Sequence, residues 1–382
     1  MPRLIKSNFA QDTFSIISNG FEYKDCWESI DITMSMENVC NEITVSTLNF
    51  FEDKLSIFKA SDDWKLKKGS KYIAKINDQI ISTGYVDKIG VGYSADGSFI
   101  EFYMRDKTSD LVDCPYFSEK ISEFKNNTLL AIIENLCIPF GITVIVDPTV
   151  QELLSIVIPN YTIDQGRSVA ELIVEECVKV GVLVITDGNG NLYLTQPTTQ
   201  DICGDIITDT NIINADMGSS MTDRFSNYIT KAEIKSDKLY NISEEQTWIE
   251  REKEGAYSST KRNIQDLELG DRFRPLILLS DTAQTIEDCV KRSVYEANIR
   301  KAKSLIINYV VEGWTEISTG LVRKPNKLVR VKDRMLGVEE LMLVNGVNLN
   351  YNESGFQTTL ELVRKECYSL NEQALQLIRK GF

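Results

Sequence analysis

Apolar and polar residues alternate along residues 86–104 and again along 344–362. A shift of 258 positions lays one stretch on the other: Val86 on Val344, Ile89 on Val347, Val91 on Leu349, Tyr93 on Tyr351, Gly97 on Gly355, Phe102 on Leu360 and Met104 on Leu362. A period of two is that of a strand with one buried face, so each stretch predicts a strand–turn–strand unit. Gly97 and Gly355 lie in small polar clusters (Ser94-Ala95-Asp96-Gly97-Ser98 and Asn352-Glu353-Ser354-Gly355), where a turn needs a residue tolerant of positive φ. Upstream, Ile43-Thr44-Val45-Ser46-Thr47-Leu48-Asn49-Phe50 is echoed loosely by Leu305 to Val311. Alternation is common enough that two unrelated hairpins could share it. A second repeat favours duplication as a way of building.

That second repeat pairs Thr128–Asp147 with Ser168–Asp187 at a shift of 40, matching Ile133 with Ile173, Cys137 with Cys177, Gly141 with Gly181 and Asp147 with Asp187. Each copy opens on a hydroxyl residue able to cap a helix, Thr128 or Ser168. Apolar residues at helical spacing follow, and Gly141 or Gly181 supplies the C-terminal stop. A short β-branched run completes each copy. After the second, Asp187-Gly188-Asn189-Gly190-Asn191 predicts a tight turn into Leu192-Tyr193-Leu194.

Read in order, residues 1–110 are β-rich, with strands expected at Phe14–Ile17, Asp31–Met36, Glu42–Phe51 and Lys71–Ile81 before the first repeated hairpin. Residues 111–200 form the duplicated helix–strand domain. A second β module is expected to be discontinuous, from 201–235 and 305–365. Between them, 236–304 is an inserted subdomain with a charged loop-rich stretch and a helix beginning near Ser280 or Asp281. The end, 366–382, reads as an amphipathic helix. The expected fold class is α+β and multidomain.

Composition narrows the chemistry. No histidine occurs among 382 residues, which removes Ser–His and Cys–His nucleophile activation and histidine-ligated metals. The eight cysteines are scattered without a C-x-x-C pair, so neither a zinc site nor a disulfide framework is expected. Glu134, Glu175 and Glu176 lie on expected helices, while Glu244-Glu245 and Glu339-Glu340 sit in polar connections, all as solvated faces. No catalytic residue, cofactor site or metal site is read here, and an enzyme is not expected. The net charge of −14 argues against specific nucleic-acid binding, which draws on phosphate neutralisation. No apolar stretch approaches the roughly 20 residues of a membrane span, and the N-terminus lacks a signal-peptide core, so membrane insertion and export are not expected.

Several segments carry a resemblance: Asn127-Thr128-Leu129-Leu130 leading to Ile138-Pro139-Phe140-Gly141-Ile142-Thr143-Val144, Ser168-Val169 through Gly188 to Pro197, Val311-Glu312-Gly313-Trp314, and Gly355-Phe356-Gln357-Thr358-Thr359-Leu360-Glu361-Leu362. With the domain order, they make the chain resemble the baseplate hub proteins of contractile-tailed phages and phage-derived bacteriocins, which include the Mu-like P protein, the late-control D family and the hub of Gram-positive defective prophages. Leu321-Val322-Arg323-Lys324-Pro325-Asn326 departs from the Trp-x-Pro-Gly often found in related chains.

The resemblance implies two tube-like β-barrel domains per chain and a homotrimer that adapts a sixfold tail tube to a threefold central spike. The implied partners are the tail tube or tube-initiator ring, the spike, and baseplate wedge or LysM-type adaptor proteins. The implied location is the tail baseplate of a virion or tailocin, assembled in the cytoplasm of the bacterial host. In this reading Gly97, Gly355, Gly141, Gly181, Gly313 and Trp314 are structural turn and motif residues. Another tail or adhesion component, or a carboxylate-dependent cell-wall hydrolase, are the alternative readings.

Overall fold

Strand β3 (Ser29–Ser35) alternates buried and half-buried residues along its whole length, with Ile30, Ile32 and Met34 turned inward. This is the sequence period expressed as a sheet with one core face. The computed structural model describes residues 12–24, 26–48, 66–94, 97–117, 123–208, 210–233, 256–258, 264–280, 286–317 and 319–368. The chain divides into two units, Met1–Met217 with Ile307–Leu362, and Gly218–Ile306 with Val363–Phe382.

The first unit is organised by one long sheet. Its first half uses β1 (Phe14–Ser18), β2 (Phe21–Lys24), β3, β4 (Glu42–Leu48), β5 (Lys71–Ile76), β6 (Gln79–Ser94) and β7 (Gly97–Asp106). Its second half uses β13 (Ile202–Ile207), β14 (Ile212–Ser219), β19 (Leu305–Glu312), β20 (Leu328–Asp333), β21 (Val338–Asn352) and β22 (Gly355–Arg364). The hydrogen-bonded order is β14-β19-β22-β21-β3-β4-β7-β6-β5-β1-β2, with β20 pairing β21 and β13 pairing β20 off that path. This path is open at both ends among the described residues.

The two halves repeat one plan. In the first, β3-β4-β7-β6-β5 run side by side; in the second, β14-β19-β22-β21-β20 do. The 258-residue shift falls on the long central hairpins, β6–β7 and β21–β22. The ladders extend it: Ile43 and Val45 of β4 face Met104 and Phe102, as Ile307 and Tyr309 of β19 face Leu362 and Leu360. The copies differ at one margin, where β1 runs antiparallel to β5 but β13 runs parallel to β20.

Residues Lys71–Ile81, expected as one strand, are broken by a two-residue turn at Asn77-Asp78, whose φ angles are 48° and 65°. Asn and Asp tolerate that left-handed backbone, so the hairpin forms without glycine.

The helix–strand region opens on a short helix α1 (Ser109–Asp113), pairs β8 (Glu123–Thr128) antiparallel with β10 (Val157–Thr162), and carries the second repeat. Helix α2 (Leu129–Cys137) is capped by Thr128, whose hydroxyl accepts from the Ala131 amide at 3.2 Å. Helix α3 (Val169–Lys179) is capped by Ser168 in a reciprocal box with Glu171. Gly141 and Gly181 follow at φ 60° and 71°, and Cys137 and Cys177 meet in one buried apolar cluster. A hairpin of β11 (Leu183–Thr186) and β12 (Leu192–Thr195) pairs in parallel with β9 (Val144–Val146), so strands from both copies share one small sheet.

The second unit holds β15 (Asn227–Glu233), β16 (Ala256–Ser258), β17 (Ile264–Gln265), β18 (Pro275–Ser280) and a helix, here α4 (Ile286–Lys303). The sequence reading attaches 227–233 to the second β module. The structure instead pairs β15 with β16, β17 and β18, because its buried face, Tyr228 and Thr230, is covered by α4. The helix is expected to start near Ser280 or Asp281; Ser280 instead ends β18, the described helix runs from Ile286, and Asp281 with most of the expected C-terminal helix lies outside the described residues.

Candidate functional site

Two of the expected motif residues, Gly313 and Trp314, sit on one loop. The turn after β19 brings Gly313, at φ 77°, and fully buried Trp314 over the second hairpin. The Gly313 amide donates to the Phe356 carbonyl at 2.9 Å, and the Thr358 hydroxyl donates to the Gly313 carbonyl at 2.6 Å. The indole Nε1–H of Trp314 reaches the carbonyls of Asn350 and Gln357 at 3.0 and 3.1 Å. Phe14 and Phe356 stand edge-on to the indole, at 6.1 and 4.7 Å between centroids.

Asp12, which no local pattern singles out, completes this site. One carboxylate oxygen accepts from the Trp314 amide at 2.6 Å; the other accepts from the Thr315 hydroxyl at 3.1 Å and from Asn77 Nδ2 at 2.6 Å. It thus pins the start of the first β module to the motif loop of the second. Beyond the loop, Arg323 is 4% exposed and its Nη1 lies 3.0 Å from the Glu316 carboxylate. Burial pulls the Arg323 guanidinium below its ordinary pKa, opposed by the Glu316 charge.

Gly355 begins β22 at φ 89°, the left-handed backbone expected of it. Gly97 begins β7 and pairs with Ser94; Ala95 and Asp96 between them lie outside the described residues. Gly141 and Gly181 lie away from the motif loop, in the helix–strand domain. The six residues are therefore not one cluster: only Gly313, Trp314 and Gly355 share a neighbourhood.

The two modules meet edge to edge. Residues Gly346–Tyr351 of β21 pair antiparallel with Ser35–Ile30 of β3. Val347 and Leu349 on one strand, and Ile30, Ile32 and Met34 on the other, are at most 3% exposed. On the opposite face Asn348 Nδ2 reaches both Asp31 carboxylate oxygens at 3.1 Å.

A cavity of 730 Å³ opens in this unit between Ser35, Asn41 and Ile81 on one side and Asp147, Asp187, Tyr193 and Lys324 on the other. Its carboxylates are engaged in local structure. Asp147 accepts from Thr149 and Tyr193, and Asp187 accepts from Asn189 and Asn191. Asp201 pairs with Lys327. Among the described residues no group of three His, Cys, Asp or Glu side chains is placed to hold a metal ion. No helix among them is long and apolar enough to cross a membrane.

Beside the cavity, Asp106 is fully buried. It accepts from Ser82, which also bonds Tyr72 at 2.5 Å, and from the Asn41 amide at 3.2 Å. Burial pushes its carboxyl from the ordinary 3.8 up to about 6, against the pull of those donors. Because the folded value is the raised one, the stabilising form is the protonated one. Its contribution is complete below about pH 4 and is lost as pH rises through 6, a loss of about 3 kcal/mol over the two-unit shift. Denaturant titrations between pH 4 and 7 are expected to show a shallower decline for Asp106→Asn than for the wild type. Identical slopes would remove Asp106 as the cause.

Comparison with known proteins agrees with this architecture. Residues 108–196 match the family described as baseplate hub protein gp44-like, second domain, and residues 285–371 match Mu phage baseplate assembly protein GpP, fourth domain. The chain is 28% identical to the baseplate hub protein gp44 of Escherichia phage Mu over 357 residues, 93% of this chain and 89% of that one. Its fold superposes on the 43 kDa tail protein of prophage MuSo2 from Shewanella oneidensis with a TM-score of 0.76 at 27% identity, covering 93% of this chain and 99% of the other. It also superposes on a tail protein from Neisseria meningitidis MC58 with a TM-score of 0.72 at 17% identity, covering 94% and 98%.

Proposed function

From a chain that is a relative of the phage-tail baseplate hub proteins, and a structural component rather than an enzyme, we propose a homotrimeric hub whose two β modules per subunit act as quasi-equivalent tube-like barrel units. Three subunits then present six similar sheets in a threefold particle, which is what adapting a sixfold tail tube to a threefold spike requires. The observation that carries this reading is the repeated strand order, β3-β4-β7-β6-β5 and β14-β19-β22-β21-β20, with the repeats joined edge to edge by β21 and β3. A chain that lays two copies of one sheet side by side has already built a third of such a ring.

The partners in this role are a tail tube or tube-initiator ring, a central spike, and wedge or LysM-type adaptors, within a virion or tailocin baseplate assembled in the host cytoplasm. The acidic composition suits a wall beside which DNA passes without sticking. Light scattering after size exclusion is expected to give the mass of three subunits. Particle images of that species should show six similar densities around a channel. A strictly monomeric protein at all concentrations, or a dimer, would exclude the hub ring.

A further inference from the structure

The charges of the 730 Å³ cavity are unevenly satisfied. Each carboxylate on its wall already has its donors. Asp147 accepts from the amide and hydroxyl of Thr149 at 2.9 and 2.6 Å, and from the Tyr193 and Thr195 hydroxyls at 2.6 and 3.4 Å. Asp187 accepts from the backbone and side-chain amides of Asn189 and Asn191, all between 2.7 and 3.2 Å. Asp201 is paired with Lys327. Lys324 lines the same cavity and, among the described residues, makes neither a hydrogen bond nor an ion pair. An ammonium has three donors and no acceptor, so what this wall lacks is an anion.

The loop around Lys324 is fixed on both sides. The Arg323 amide donates to the Trp314 carbonyl and the Asn326 amide to the Val344 carbonyl, each at 3.0 Å. Asn326, at φ 58°, also accepts from the Thr198 amide at 2.8 Å and donates to the Gln196 carbonyl at 3.0 Å. The frame thus holds the stem of Lys324 in place and leaves its head free. Burial, and after it Lys327, pulls the half-buried ammonium below its ordinary pKa, while Asp187 and Asp106 pull it back. An ammonium desolvated without a close partner gains most from a carboxylate brought beside it.

The lining also selects among anions. Asp147, Asp187 and Asp201 against Lys324 and Lys327 leave one net negative charge. A phosphate group, at about −1.5 to −2, meets more repulsion in that field than a singly charged carboxylate does. Ile81, Ile145 and Pro197 add apolar surface beside the amides of Asn41 and Gln196, the mixture that suits a peptide chain. The volume falls in the range of built ligand pockets.

We propose that this cavity receives a carboxylate of a partner polypeptide, an Asp or Glu side chain or a chain terminus, with Lys324 as its charge partner. All the lining residues belong to one unit of one chain, so the site stands whether or not the subunits form a trimer.

The test selects from a randomised heptapeptide pool on the immobilised full-length wild type and on Lys324→Met. The pool is used once with free and once with amidated C-termini, and bound peptides are challenged with N-acetylglutamate or inorganic phosphate. The wild type is expected to enrich Asp or Glu at one position, or a free terminus, by about tenfold or more, the effect of one lost ion pair, and Lys324→Met to lose that enrichment. Enrichment that survives amidation assigns the carboxylate to a side chain; enrichment that does not assigns it to the terminus. No acidic enrichment, equal enrichment on both proteins, or displacement by phosphate in preference to N-acetylglutamate would overturn the proposal. Hydrogen exchange of the wild type with a selected peptide decides even if the variant fails to fold. Amides of 198–201 and 326–328 are expected to gain protection, and protection confined to other segments would place the peptide elsewhere and overturn the site.

Discussion

Trp314→Ala is expected to destabilise the first unit by about 3–5 kcal/mol, the range for removing a fully buried large aromatic side chain. The indole is 0% exposed, so the cavity left behind has no solvent route to relax through. Two further losses add to the missing volume. The carbonyls of Asn350 and Gln357 lose their common donor, and the edge-on contacts with Phe14 and Phe356 disappear. Trp314→Phe keeps most of the volume but not the donor, and should fall between alanine and wild type. Urea denaturation followed by far-ultraviolet dichroism measures the series. An alanine variant within 1 kcal/mol of wild type would show that this indole does not anchor the paired strands β19 and β22.

Arg224→Ala is expected to cost the second unit about 3–5 kcal/mol, because breaking a buried pair leaves an uncompensated charge. Arg224 and Asp266 have side chains only 3% and 5% exposed. The guanidinium grips Asp266 through two 2.6 Å bonds and Glu268 through a third, and Lys301 on α4 reaches Glu268 at 2.7 Å. Glu268 is held down to about 2 by Lys301 and Arg224, despite the opposing effect of burial. Exchange protection of β15 and α4 should collapse in the variant while that of β3 and β4 persists. Equal loss in both sets would mean that the two units unfold together.

What could be read from residues alone follows from where selection for burial acts periodically. The long hairpins are legible because apolar residues alternate along β7, β22 and much of β6 and β21, and the tandem domain because Thr128 and Ser168 cap helices that Gly141 and Gly181 end. Non-periodic features were invisible. Asp12 finds Trp314 across 302 positions, and a lone carboxylate carries no sign of so distant a partner. Arg224 and Arg323 look like surface charges until the fold buries them. The turn at Asn77-Asp78 lacks the glycine that would mark a break inside an alternating run. Strand β15 alternates like its neighbours in sequence, and alternation says that a strand has an inner face without saying which sheet it joins. Gly97 pairs with Ser94 at the head of β7, and the two residues between them lie outside the described residues.

The seam between β3 and β21 also sets a timetable for synthesis. Asn348 and Asp31, bonded across it, are 317 positions apart. At the usual elongation rate of about 5–20 residues per second, β3 leaves the ribosome roughly 15–60 s before its partner exists. Throughout that interval the growing chain carries a strand whose Ile30, Ile32 and Met34 await a neighbour from the same chain. The last hairpin to be translated is therefore the one that makes the first module safe from its own kind.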